Sequence, residues 1–256
     1  METTPIIRLV NEYYEHELFN SFQIQDKLGF YNVGYWKGID NSIELAQINL
    51  IETLLSFLSN RQGTVLDVAC GKGASTKYLT KYFDSSQITG INISEHQLSV
   101  CRVIAPECNF KLMDATRMEL EDSSVDNILC IEAAFHFLTR RRFLQEAHRV
   151  LVPGGRVAMS DVLFNEDAVK ITPTLCPENA MPDLDAYRQQ LLQVGFRHVR
   201  VEDSTQFAFN RLLDAITRHR EEHFNQADEA ARRRFYSDAE QFRAINPICC
   251  MVYAIK

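Results

Sequence analysis

The sequence predicts an α/β fold: a doubly wound, mostly parallel sheet of about seven strands with helices on both faces and a helical cap. Three observations carry this. Short β-branched runs alternate with helical stretches from about residue 64 to residue 161. Glycines mark passages between them, at Gly71 and Gly73 and again at Gly154 and Gly155. Finally, 256 residues with 46% hydrophobic content suit one full-sized domain, able to bury about 70–75% of its unfolded surface.

The elements follow in order. Thr4 and Pro5 have the residue types of an N-cap and a first helical position, and Ile6, Val10, Tyr13 and Tyr14 are spaced for one face. A second helix is expected over about 42–59, with Ile48, Ile51, Leu55 and Leu58 at helical spacing. Strands are expected at 64–68, 87–91, 108–112, 125–131 and 155–161, with helices near 74–83, 94–103 and 139–150 between them. The helix at 139–150 takes Thr139 as N-cap and buries Phe143, Ala147, Val150 and Leu151. Residues 112–124 are polar, and little regular structure is expected there. A helix at 183–194 then leads into a strand at about 197–203. Helical stretches at about 205–224 and 227–243 and an apolar run from Ile248 to Ile255 complete the chain. The expected division is a core of about 60–163, 183–204 and 247–256, with cap elements at 1–59, 164–182 and 205–246.

Composition excludes several classes. A net charge of -7 argues against a broad nucleic-acid surface, since phosphate binding draws on Lys and Arg. Two basic clusters, Arg140–Arg142 and Arg232–Arg234, read as solvated helix faces; the first could alternatively receive an anionic group of a ligand. No apolar run approaches the ~20 residues of a membrane span. The opening residues show no basic segment followed by an apolar run, so the cytoplasm is the expected location. Seven cysteines, an odd number without CxxC spacing, suggest reduced core residues rather than disulfides or a metal site.

Four segments carry chemistry. In Val65-Leu66-Asp67-Val68-Ala69-Cys70-Gly71-Lys72-Gly73, two glycines allow a tight turn and close approach of backbone to a ligand. It departs from the phosphate-binding loop, lacking Gly-Lys-Ser/Thr. It also departs from GxGxxG, having Thr76 in third place and Asp67 inside the strand. A nucleotide-type ligand and a structural turn both fit. About 20 residues on, where a doubly wound sheet reads a ribose, lies Gly90-Ile91-Asn92-Ile93-Ser94. Asn92 and Gln97 could bond sugar hydroxyls, or Ser94 could be an ordinary N-cap and Gln97 a surface residue. In Met113-Asp114-Ala115 the carboxylate could accept from an adenine amino group and the Ala115 N–H donate to its ring; alone, Asp114 is a loop residue. Lastly, Glu132 and His136 follow the fourth strand, and Asp161 ends the fifth, after Leu151-Val152-Pro153-Gly154-Gly155. Ligands of open α/β sheets bind at the carboxyl ends of strands.

Together these segments resemble the S-adenosylmethionine (SAM)-dependent class I methyltransferases. The similarity runs from about Tyr35 to Asp161 and is nearest to the branch of sugar and macrolide O-methyltransferases, tocopherol-type enzymes and fatty-acid cyclopropane synthases. The resemblance implies a Rossmann-like fold and SAM as cofactor. By it, Asp67, Gly71 and Gly73 line the methionine end, Asn92 and Gln97 hold the ribose, and Asp114 with Ala115 holds the adenine. Ala69, Ile93 and Glu132 belong to the same binding set. Gly34-Tyr35-Trp36 is similar to an N-terminal clamp on the SAM carboxylate, over which Tyr14 closes. His136 matches a general base and Asp161 its assisting acid, with no metal. Asn92 stands where many relatives carry an acid, which weakens the ribose assignment.

The implied reaction is methyl transfer to a small molecule, foremost a hydroxyl oxygen of a natural product of secondary metabolism. Phe135, Phe137, Phe164, Tyr187, Phe207 and Phe209 suggest an apolar or aromatic acceptor, although each ring also suits a core. Carbon or nitrogen methylation stays open. So do a nicotinamide-dependent dehydrogenase, disfavoured by the in-strand Asp67 and the missing third glycine, and an inactive SAM-binding adaptor. Oligomeric state leaves no legible pattern.

Overall fold

The computed structural model describes residues 5–15, 29–38, 42–58, 62–223, 245 and 247–256. Helices α1 (Pro5–Glu15) and α2 (Ile43–Phe57) precede the alternating region. That region comprises β1 (Val65–Val68), α3 (Ala74–Leu79), β2 (Ile88–Asn92), α4 (Glu95–Ile104) and β3 (Asn109–Leu112). It continues with β4 (Val125–Ile131), α5 (Arg140–Val150) and β5 (Leu151–Leu163). Then follow α6 (Glu166–Ile171), α7 (Leu184–Val194), β6 (Arg197–Asp203), α8 (Phe209–His223) and β7 (Ile248–Ile255). Thr4, the helix expected at 227–243 and Arg232–Arg234 lie outside the described residues.

The seven strands form one sheet in the order β3-β2-β1-β4-β5-β7-β6. β1 to β5 are parallel, with Val65 beside both Ile88 and Asn127. β7 runs antiparallel between β5 and β6. The chain leaves β1 toward β2 on one side and later returns to β4 on the other. Connections therefore diverge above β1 and β4, and a crevice opens at their carboxyl ends.

Both faces of the sheet are covered over its middle strands, so β1, β2, β4, β5 and β7 are mainly buried, whereas the flanking β3 and β6 are largely exposed. One face packs Val68, Ile128, Cys130 and Met159 against Phe143, Leu144 and Ala147 of α5 and Leu191 of α7. The other packs Val65, Ile88, Leu129 and Ala158 against Leu50, Ile51, Leu54 and Leu55 of α2 and Leu79 of α3. The helix α2, grouped with the cap on sequence, is therefore part of the core.

The expected N-caps hold where they can be seen. Ser94 Oγ accepts from Gln97 N at 3.3 Å, and Thr139 Oγ1 from Arg142 N at 3.4 Å. Three differences are informative. Of the α1 face expected from Ile6, Val10, Tyr13 and Tyr14, Val10 is buried and Ile6 and Tyr14 are half-buried, while Ile7 is buried in addition; the Tyr13 side chain lies outside the described residues. Helix α3 ends at Leu79, four residues early, and the chain continues in turns whose Tyr82 and Phe83 N–H groups both donate to the Leu79 carbonyl. Pro153-Gly154-Gly155 lies inside β5, not before it, as a register shift between the Val125–Leu151 and Asn127–Arg156 pairs. There Gly154 takes φ +81°, and a Cβ on Gly155 would meet the Val152 carbonyl at 2.8 Å.

The irregular stretch after β3 is held by Arg149 of α5. Its guanidinium donates to the carbonyls of Met118 and Leu120, each at 2.8 Å. Glu146 accepts from Met118 N at 2.6 Å.

Candidate active site

A cleft of about 1160 Å³, including its open mouth, lies at the carboxyl ends of β1, β2 and β4. Helix α1 and residues 29–32 roof it.

The turn after β1 forms the floor. Gly71 adopts φ +55°, and a Cβ there would stand 2.9 Å from the Tyr31 ring. Gly73 (φ +91°) does not line the cleft; its missing Cβ admits Cys101 of α4, whose backbone would be 3.1 Å away. The close approach of Cys101 gives this glycine a helix-packing reason of its own. Asp67 is buried and accepts from Ser75 Oγ at 2.7 Å and Thr76 Oγ1 at 2.6 Å. Burial pushes its carboxyl up to about 6, against the opposing effect of those two bonds. Ala69 is left-handed at φ 56°, an uncommon geometry for a residue with a Cβ.

At the next strand end, Asn92 Nδ2 donates to Gln97 Oε1 at 2.7 Å and to the Gly71 carbonyl at 3.1 Å. Asn92 Oδ1 accepts from Ser94 N at 3.2 Å. The asparagine thus ties the two turns together. Ile93, Asp114 and Ala115 also line the cleft. Asp114 uses Oδ1 for Thr116 N and Oγ1, both at 2.8 Å.

Beyond β4, Glu132 takes φ 49° and its Oε2 accepts from Val33 N at 2.8 Å, latching the 29–38 segment to the sheet. Burial pushes this carboxyl up to about 8. His136 ends a 3₁₀ turn, Ala134–His136. Its Nδ1 lies 3.0 Å from the Thr174 carbonyl and its Nε2 2.9 Å from the Tyr14 hydroxyl. A carbonyl can only accept, so the geometry assigns the proton to Nδ1 and a lone pair to Nε2. Burial lowers the imidazole to about 4, although the Thr174 bond and the charge of Asp161 act the other way.

Asp161 does not reach the cleft. It is fully buried and accepts from Arg140 Nε at 2.7 Å, from Tyr187 Oη at 2.9 Å and from Val162 N at 2.9 Å. It pairs with an arginine instead of orienting His136. The Arg140–Arg142 cluster is correspondingly split: Arg140 is buried while Arg141 and Arg142 are exposed.

The expected clamp, Gly34-Tyr35-Trp36, lies beside the cleft lining and not in it. Trp36 is buried with its indole donating to the Val33 carbonyl at 2.9 Å, and the Tyr35 ring packs on Phe207. Neither lines the cleft; Gly29, Phe30, Tyr31 and Asn32 do. Gly29-Phe30-Tyr31 repeats the Gly-aromatic-aromatic pattern of Gly34-Tyr35-Trp36 five residues earlier, and that repeat was the available signal. Asn11 was likewise missed, though Ile7, Val10, Asn11 and Tyr14 share one helical face. Of the six proposed acceptor rings only Phe137 lines the cleft. Phe135, Phe164 and Phe209 pack around Val162, Ala208 and Cys249, and Tyr187 is core. Among the described residues no group of three or more His, Cys, Asp or Glu could hold a metal ion, and no helix is long and apolar enough to cross a membrane.

A family model described as a methyltransferase domain matches residues 66–159, from β1 to β5. An O-methyltransferase of Pyrenophora dematioidea is 33% identical over 193 residues, which span 70% of this chain and 72% of that protein. Two solved structures share the fold. A cyclopropane synthase from Mycobacterium tuberculosis has a TM-score of 0.78 at 20% identity, covering 99% of both chains. Geranyl diphosphate C-methyltransferase from Streptomyces coelicolor, solved with S-adenosyl-L-homocysteine, has a TM-score of 0.71 at 16% identity. It covers 100% of this chain and 99% of its own.

Proposed function

Because the chain belongs to the class I methyltransferases, which use SAM and here serve a small-molecule acceptor, we propose that it methylates a hydroxyl oxygen of an apolar natural product with His136 as general base. The observation that carries this is the Nε2 lone pair of His136, which faces a phenolic hydroxyl, that of Tyr14, at 2.9 Å in the cleft. An acceptor hydroxyl placed like that of Tyr14 would give its proton to the same nitrogen. Ile7, Val10, Phe137 and Leu138 supply apolar walls beside it.

The remaining lining fits the cofactor. Gly71 offers backbone where a Cβ would crowd the cleft. Asp114 retains Oδ2 for the adenine amino group beside the Ala115 N–H, and Gln97 has its amide NH₂ for the ribose. Asp67, Ala69 and Glu132 line the methionine end. Both carboxyls are raised in pKa, and a cationic neighbour favours their ionised forms. Bound SAM supplies an electrophilic methyl group on a sulfonium. The roof of α1 and residues 29–32 excludes water, and the cleft walls align the acceptor with that methyl group.

The test is incubation with SAM and a panel of catechol, resorcinol and 4-nitrophenol, followed by mass spectrometry and product NMR. A methyl ether and S-adenosylhomocysteine are expected; a methyl group on carbon, or transfer only to amines added to the panel, would overturn the oxygen assignment.

The pH profile gives an independent check. A base works when neutral, and His136 stays neutral down to about 4 instead of 6.5. A neighbouring sulfonium depresses it further. The kcat profile should therefore show no single-proton loss on lowering the pH through 6.5, and activity attributable to this group should fall only towards pH 4. A one-proton limb centred near 6.5 would contradict the assignment.

A further inference from the structure

His136 sits in a short turn after β4, which by itself does not determine where an imidazole points. Two of the turn's own backbone bonds, His136 N to Ala133 O and Phe137 N to Ala134 O, close it locally. The carbonyls on either side of His136 face the other way. That of Phe135 accepts from Asn179 Nδ2 at 3.1 Å and that of Phe137 from the same nitrogen at 2.8 Å. Asn179 is 3% exposed and comes from the connection between α6 and α7.

Its carboxamide orientation is fixed chemically. Oδ1 accepts from Arg140 N at 2.7 Å, so a flipped amide would set an oxygen against two carbonyls and an NH₂ against an N–H. The Asn179 carbonyl accepts from Arg140 Nη1 at 2.7 Å, and Arg140 is itself anchored on Asp161. The same connection supplies Thr174, whose carbonyl accepts from His136 Nδ1. Ring and backbone of His136 are thus both held by residues 174–179.

We propose that Asn179 is a positioning residue for methyl transfer: its carboxamide bridges the carbonyls of Phe135 and Phe137 and thereby aims His136 Nε2 at the acceptor hydroxyl. This rests on the reading of His136 as base. Asn179 does not line the cleft, so it acts through His136 and not on the ligand.

Asn179→Ala removes both bridging donors. In the SAM-bound variant, NMR of the His136 ring should show mixed tautomers and a titration moved back towards 6.5, while the dissociation constant for SAM changes less than about threefold. Displacement of a reacting group by about 1 Å can cost about 10²-fold, so kcat should fall about 10- to 100-fold with the Michaelis constant for SAM unchanged. The loss should vanish in a His136→Ala background. A folded Asn179→Ala protein with an unaltered His136 titration, or an equal loss in both backgrounds, would overturn the proposal. Asn179→Ser, which keeps one donor, serves the same cycle if the alanine variant does not fold. In the unsubstituted protein both side-chain amide protons of Asn179 should resist hydrogen exchange, and rapid exchange of either would also overturn it. Full activity of His136→Ala would instead defeat the base assignment, and the NMR measurement would still decide what Asn179 holds.

Discussion

His136→Ala should lower kcat by about 10²–10⁴-fold, the usual contribution of a positioned general base, or about 2.7–5.5 kcal/mol of barrier. The dissociation constant for SAM should stay within about threefold, because the groups assigned to adenine and ribose lie elsewhere, Asp114 and Ala115 after β3 and Gln97 in α4. Single-turnover kinetics at saturating SAM separates the two effects, and calorimetry reports the binding. An equal fall in kcat/KM and kcat is the signature of an interaction made only in the transition state. Undiminished single turnover would remove His136 from the chemistry, and weakened SAM binding with intact kcat would make it a cofactor contact. The Tyr14 hydroxyl also loses its bond to His136, so the variant reports on α1 as a roof. A Tyr14→Phe control isolates that part.

Asp161→Ala should act on stability first. Arg140 is 1% exposed and Asp161 is not exposed at all, so removing the carboxylate leaves a guanidinium buried without a counter-charge. Breaking a buried pair in this way costs about 3–5 kcal/mol. For a chain of this size, that is a fall in Tm of roughly 6–20 °C. The remaining acceptors of Arg140, the carbonyls of Asn179 and Val162, satisfy its hydrogen bonds but do not neutralise it. Thermal unfolding followed by circular dichroism measures the loss. A Tm unchanged within a degree or two, with kcat reduced as far as in His136→Ala, would restore Asp161 to the reaction.

The contrast between these two residues shows what a sequence can and cannot carry. Strands β1, β2, β4 and β5 and the start of α5 are legible because buried parallel strands need β-branched runs and helices need capping residues; Thr139 stands where the chemistry requires it, and α7 proves to have the same device in Asp183. His136 was found because it follows a strand that reaches the crevice. Asp161 follows such a strand too, but its partner Arg140 was hidden in a run of three arginines at a helix start, where such a run is normally solvated. The tertiary contacts decide it: Arg140 turns inward onto Asp161 and the carbonyls of Asn179 and Val162, and α7 brings Tyr187 onto the same carboxylate. The segment that roofs the cleft is not legible in the sequence for a different reason. Two Gly-aromatic segments lie five residues apart, and the one that faces the ligand is decided by Glu132 accepting from Val33, a contact across 99 residues of chain.

The placement of β7 has a consequence for how the molecule is made. Among the described residues β6 pairs with no strand but β7, and β7 is the strand that covers the edge of β5 from Arg156 to Leu163. On the ribosome, β1 to β5 emerge well before β7. A nascent chain can therefore assemble the parallel strands while a long apolar edge stands open and β6 waits unpaired. Unpaired edges invite pairing with other chains, and collapsed intermediates of larger proteins aggregate through such surfaces. The vulnerable period of biosynthesis lies between the emergence of β5 and that of β7, when a chaperone or slow translation over residues 164–247 would matter most.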